Sequence, residues 1–266
     1  MARLIALALV LASGVASAHF QLLLPAGELA LQRPAKKTLY LPFTHPAVSG
    51  QVMDMARPRS LFVVHRGERI DALETLEAAR FSSAENTGAS WLASHAFKRL
   101  GDHVLVLEPE PYFEADEGTY IQQITKTVVN VGGLPTDWDA EIGLAVEIMP
   151  LANPAAVWAG STFTAQVLAG GEPVPGAEVE VELLNYEIDT ANDRFQTEPR
   201  VEIPVPLLET QSLRADSNGV ITLGIPFAGR WGIAALDLLP GSEQDGKPLS
   251  VDAVLWLDAR SPLATR

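Results

Sequence analysis

The sequence predicts an all-β protein built of two β-sandwich-like domains. Apolar residues recur at every second position through most of the chain, sustained helical periodicity is scarce, and the alternating segments are separated by turns rich in Gly, Pro, Asn and Asp. The clearest strand covers residues 177–183. There Ala177, Val179, Val181 and Leu183 alternate with Glu178, Glu180 and Glu182, so one face is expected to be apolar and the other acidic and wet. Residues 171–176, with two prolines and a terminal glycine, read as its lead-in turn. Asp216-Ser217-Asn218-Gly219 supplies the residues of a tight turn, followed by alternating Ile221, Leu223 and Ile225, then Trp231, Ile233 and Ala235. A last strand is expected over residues 251–257, and from about residue 155 these segments make a small antiparallel sandwich.

The first half is also strand-rich, with strands expected over residues 38–43, 60–65, 91–98, 103–108 and 120–129, and one short helix over 71–80. Pro150 and Pro154 break strand pairing between the halves. The expected division is a signal peptide (residues 1–18), an N-terminal β domain (19–150) and a C-terminal sandwich (155–266).

The leader is read from Arg3, the apolar run of residues 4–12, and the small residues Ala16-Ser17-Ala18 that a signal peptidase accepts. The apolar run is about half of the ~20 residues needed to span a bilayer, so a cleaved secretory signal is expected rather than an anchor. The working chain then begins at His19 in an extracytoplasmic compartment, the periplasm being the expected location. With no cysteine, the chain has neither disulfides nor a thiol for a lipid anchor, and its 47% hydrophobic content must supply stability by burial. A net charge of −14 argues against nucleic acid and anionic lipid surfaces and makes a cation the expected charged partner. Stable membrane insertion is not expected.

Standard catalytic motifs are missing. The sequence has no cysteine nucleophile, Gly-x-Ser-x-Gly elbow, phosphate loop, His-Glu-x-x-His or dinucleotide fingerprint, and no enzymatic activity is expected. Asp216-Ser217-Asn218-Gly219 resembles the start of a calcium loop, but Phe227 stands where that loop needs its last acid, so a hairpin turn is the expectation. Glu108, Glu110 and Glu114 are read as a solvated loop around Pro109 and Pro111.

The residue that stands out is the histidine at the new amino terminus. After cleavage His19 offers its α-amine and a ring nitrogen, which close a chelate on one divalent metal. His45, in Phe43-Thr44-His45-Pro46, is the second candidate ligand, because the proline restrains the backbone at the end of an apolar strand. Met53-Asp54-Met55 brings a carboxylate and two thioethers near the same strand end. His65, His95 and His103 read as ordinary strand or loop residues.

Together with these residues, Ala18-His19-Phe20-Gln21-Leu22-Leu23-Leu24-Pro25, Glu108-Pro109-Glu110-Pro111-Tyr112-Phe113, Thr125-Lys126, Trp158-Ala159-Gly160 and Gly229-Arg230-Trp231-Gly232 resemble a bacterial domain-of-unknown-function family. Members of that family are described as periplasmic, NikK-like components of nickel uptake systems. The resemblance runs from His19 to about Trp256. It implies an all-β exported protein that captures a transition metal, first of all Ni²⁺, and hands it to a membrane transporter. The second half also resembles immunoglobulin-like or transthyretin-like modules. Many relatives carry a histidine shortly before the Thr-Lys pair. Here Gln123 takes that place and enters the expected metal site with His19 and His45. Cu²⁺ is the competing metal, since it outranks Ni²⁺ at nitrogen and oxygen donors. Two other readings follow from the same residues: a copper-dependent oxidative enzyme with an N-terminal histidine brace, and a metal-free periplasmic interaction module.

Overall fold

The computed structural model describes residues 19–262. The proposed signal peptide lies outside the described residues. The fold is all-β, with no α-helix among the described residues and two short 3₁₀ turns, Leu73–Thr75 and Pro206–Leu208.

A twelve-stranded sheet forms the middle of the molecule. Its strands run in the spatial order Gln211–Arg214, Glu178–Leu183, Gly229–Ala235, Lys247–Arg260, Thr119–Val131, Gly101–Glu108, Ser60–His65 and Glu68–Asp71, with short segments pairing at the sides. Neighbours along this path are antiparallel except at the centre, where Thr119–Val131 and Lys247–Arg260 pair in parallel from Tyr120 opposite Leu249 to Thr127 opposite Trp256.

The central strands are buried on both faces, which explains why Val104-Leu105-Val106-Leu107 reads as a continuous apolar run. Val104 and Val106 point to one side, into a core shared with Phe163, Val167, Ile221, Val179, Ile233 and Leu255. That side is covered by a four-stranded sheet containing Val146–Pro150, Ser161–Ala169 and Val220–Ile225. Leu105 and Leu107 point to the other side, against Leu39, Ala93 and Phe97. Here the cover is a six-stranded sheet in which Thr87–Phe97 lies between Glu77–Ser82 and Ala35–Tyr40. Two sandwich-like packings therefore share one middle sheet.

Pro150 ends a strand and Pro154 lies in the following turn, but the Leu151 and Ala152 N–H groups donate to the Thr164 carbonyl and the Pro154 carbonyl accepts the Asp258 N–H. Phe62, Val104 and Val106 from the first half share a single apolar cluster with Val179, Ile233 and Leu255 from the second.

The expected helix over 71–80 does not form. Asp71 ends a strand, its carboxylate accepts the Leu73 N–H at 2.7 Å to start a 3₁₀ turn, and Glu77–Ser82 is a strand on Thr87–Phe97. Pairing along that strand overrides the helix preference of Glu77, Ala78 and Ala79. The expected strand over 38–43 is also divided, into Ala35–Tyr40 and Phe43–Thr44 in different sheets. The turn at Asp216 forms as expected. Its carboxylate accepts the N–H groups of Asn218 at 2.8 Å and Val220 at 2.9 Å, with Gly219 at φ 71°.

Candidate metal centre

The candidate site is built on a three-stranded sheet of two-residue strands, Phe20–Gln21, Phe43–Thr44 and Val52–Met53. Phe20 pairs with Thr44 and Gln21 with Phe43, so the antiparallel register carried one residue outward sets His19 opposite His45. Their ring centroids are 4.3 Å apart, and the Phe43 ring lies 5.4 Å from that of His19. Gly50 gives His45 its room, because a Cβ there would stand 2.9 Å from the His45 Cβ.

So short a ladder is held by tertiary contacts. The Phe20 and Trp256 rings meet edge to face at 5.9 Å. The buried Trp256 indole donates to the Gln21 carbonyl at 2.9 Å. Gly232 leaves the space these rings occupy, since a Cβ there would approach Phe20 at 2.8 Å and Trp256 at 2.9 Å. Arg230 donates to the Pro25 carbonyl at 2.9 Å. In Gly229-Arg230-Trp231-Gly232, then, Arg230 and Gly232 hold the N-terminal segment.

Gln123 belongs to the same clamp. Its Oε1 accepts the Gln21 N–H at 2.8 Å, and its Nε2 donates to the His19 carbonyl at 2.7 Å and to buried Asp252 at 3.3 Å. The amide expected to serve as a ligand is thus engaged with the backbone of the strand that carries His19. Met53 and Met55 are buried with Phe43 beneath the histidines as apolar packing, and Asp54 accepts the Ala89 N–H at 2.5 Å.

Glu114, read from the sequence as part of a solvated loop, is instead a largely buried strand residue of the site. It ends the strand Tyr112–Glu114, and its carboxylate lies 3.3 Å from His19 Nε2. Burial first, and the neighbouring His45 second, push the His19 pKa down to about 3. Both push toward the uncharged imidazole beside the Glu114 carboxylate. Nε2 faces the Glu114 carboxylate, and Nδ1 is the ring nitrogen nearer the main-chain nitrogen of His19. Pairing of Tyr112–Glu114 with Thr119–Val131 brings Glu114 to His19.

Elements of the second half close the loop after His45. Asn185 N–H donates to the Pro46 carbonyl at 3.1 Å, and the Ala47 N–H donates to the Glu182 carboxylate at 3.3 Å. This cover buries Glu182, so the acidic face of strand Glu178–Leu183 is not uniformly wet as expected. Only Glu178 of the three acids is exposed. Burial raises the Glu182 pKa to about 8 against the opposing hydrogen bonds from Thr210 and Ala47.

His65, His95 and His103 lie apart from these residues, but they are not ordinary. The His65 and His103 rings stack at 4.3 Å, and the His95 ring stands edge-on to His103 at 5.6 Å. Burial pushes His95 down to about 4 and lowers His103 as well. Among the described residues, no group of three or more His, Asp or Glu side chains already stands at metal-ligand spacing.

No curated protein matches the sequence. Among solved structures the chain is similar to a Bacteroides uniformis protein provisionally assigned to carbohydrate binding, at 11% identity and a TM-score of 0.23, over 87% of this chain and 100% of that one. It is also similar to CfaE, the adhesive subunit of CFA/I fimbria of enterotoxigenic Escherichia coli, at 12% identity and a TM-score of 0.14, over 87% of this chain and 80% of that one. Likenesses this slight carry no functional argument. The family comparison covers most of the chain: residues 16–237 match the model of a domain of unknown function, DUF4198, and the protein belongs to that family.

Proposed function

We propose that this protein is an exported carrier that captures a divalent transition metal, with Ni²⁺ the first candidate and Cu²⁺ its competitor, and delivers it to a membrane uptake system as a NikK-like component. The observation that supports this reading is the cross-strand pairing of His19 with His45, ring centroids 4.3 Å apart, with Glu114 on the outer nitrogen of His19. Once the leader is removed after Ala18, the α-amine and Nδ1 of His19 close a chelate, and the His45 imidazole supplies a third nitrogen. The remaining positions are open to water or to a donor from the receiving transporter. Gln123 serves as the residue that fixes the chelating strand rather than as a ligand. A neutral His19 is ready to bind without losing a proton from its ring.

The test is calorimetry with Ni²⁺ and Cu²⁺ on untagged protein beginning at His19, on the same protein with one added residue before His19, and on His45→Ala. The mature protein is expected to bind one equivalent tightly. The added residue converts the amine to a non-basic amide and should weaken binding at least tenfold, on the order of 1.4 kcal/mol. Equal affinity for mature and extended protein overturns the amine as a ligand. Unchanged affinity in His45→Ala overturns His45. A bound Cu²⁺ that ascorbate reduces to Cu⁺, and that then yields oxidised glycan when dioxygen or hydrogen peroxide is supplied as the oxidant, would favour the oxidative-enzyme reading instead.

A further inference from the structure

We propose that His65, His95 and His103 form a second site for a divalent transition ion, of the three-imidazole kind that suits Zn²⁺ and Co²⁺, separate from His19 and His45. Val64 pairs with Val104, so His65 and His103 are the next cross-strand neighbours in the middle sheet. His95 comes from the strand Thr87–Phe97 of the covering sheet, and the three rings therefore meet across the interlayer space.

The hydrogen bonds fix which nitrogens carry protons. His65 Nδ1 lies 2.8 Å from the Asp102 carbonyl and His103 Nε2 lies 3.0 Å from the Arg99 carbonyl. A carbonyl only accepts, so both of these nitrogens donate, which leaves His65 Nε2 and His103 Nδ1 as bare lone pairs. Those two atoms and His95 Nε2 are buried without a hydrogen-bond partner, and they make up three of the four such side-chain atoms found among the described residues. His65 is fully buried and His103 is 3% exposed. Buried polar atoms in proteins are almost always satisfied, so three gathered in one place point to a missing electrophile. A divalent ion satisfies neutral imidazole lone pairs, and the two backbone carbonyls on the outer nitrogens are the second shell that orients histidine ligands.

The donors do not yet stand at ligand spacing. Closing on an ion requires the face-to-face stack of His65 on His103 to open. His95 is half-buried and is the most exposed of the three.

The experiment titrates Co²⁺, then Zn²⁺, into full-length mature protein carrying His45→Ala, in which the first site is reduced to the amine and ring of His19. One equivalent is expected to bind, with the visible bands of nitrogen-ligated Co²⁺ and a raised melting temperature. Adding His95→Gln or His103→Ala should weaken that binding by more than about tenfold. The proposal is overturned if folded His45→Ala protein binds no ion, or if the added changes leave its binding intact. Because His95 is only half-buried, His95→Gln remains informative should His103→Ala fail to fold. The protein with a residue added before His19 serves as a second background should His45→Ala misfold. Loss of the first site alone in these titrations leaves this inference standing, and loss of the second alone leaves the carrier reading standing.

Discussion

The side-chain amide of Gln123 clasps the main chain on both sides of Phe20, donating to the His19 carbonyl at 2.7 Å and accepting the Gln21 N–H at 2.8 Å. A residue 104 positions along the chain thus sets where the first candidate ligand stands. Gln123→Ala leaves two backbone groups without these partners and is expected to cost ~1–3 kcal/mol. It should also weaken Ni²⁺ binding, because the ladder at Phe20–Gln21 loses its lateral support. Denaturant unfolding and calorimetry on the same variant check both effects. Undiminished stability together with undiminished binding would remove the positioning role.

Gly232→Ala puts a methyl group 2.8 Å from Phe20 and 2.9 Å from Trp256, both within a packed cluster. Overpacking of this kind costs ~1–3 kcal/mol. Phe20 adjoins His19 in the chain, so its displacement should lower metal affinity along with the melting temperature. Gly224→Ala is the control, since nothing lies within 4 Å of a Cβ at that strand position.

Glu182 gives a pH dependence with a defined sign. Its folded-state pKa of about 8 lies above the ordinary value of 4.5, so the folded protein holds a proton that the unfolded chain loses. Its contribution is therefore undiminished below about pH 4.5, falls as pH rises toward 8, and is fully lost above that. Asp252, raised to about 6 by burial, acts in the same direction at lower pH, while the lowered His19 and His95 oppose it below about 6.5. Between about pH 6.5 and 8 Glu182 acts together with Glu180, which burial raises to about 7, and Glu182→Gln isolates its own share. Melting temperatures of Glu182→Gln should be flatter across that window than those of the parent, with ~2 kcal/mol as the upper scale of the difference. Parallel profiles would refute it.

The continuity of the middle sheet sets the expectation for fragments. Residues 155–266 alone lose the parallel partner of Lys247–Arg260 and expose Ala253, Leu255 and Val254 along an unpaired edge. Heat or urea is expected to show no cooperative transition for the fragment, or aggregation, whereas full-length mature protein unfolds cooperatively. A sharp, reversible transition in the fragment would show that the second half folds by itself.

The sequence alone determined the all-β class, most strand positions, the turn at Asp216 and the pairing of His19 with His45 as candidates, because these depend on period-two alternation, turn chemistry and local residue type. It also marked Gln123, but as a ligand; the clasp on Phe20 depends on a contact no local pattern encodes. Tertiary structure decided the rest. The strand Glu77–Ser82 took its form from pairing with Thr87–Phe97 over the preference of its own residues. Glu182 is buried because a loop from the first half lies on it, and Glu114 meets His19 because Tyr112–Glu114 pairs with Thr119–Val131. His65, His95 and His103 come from three strands in two sheets, and only the closing of one layer on another brings their rings together.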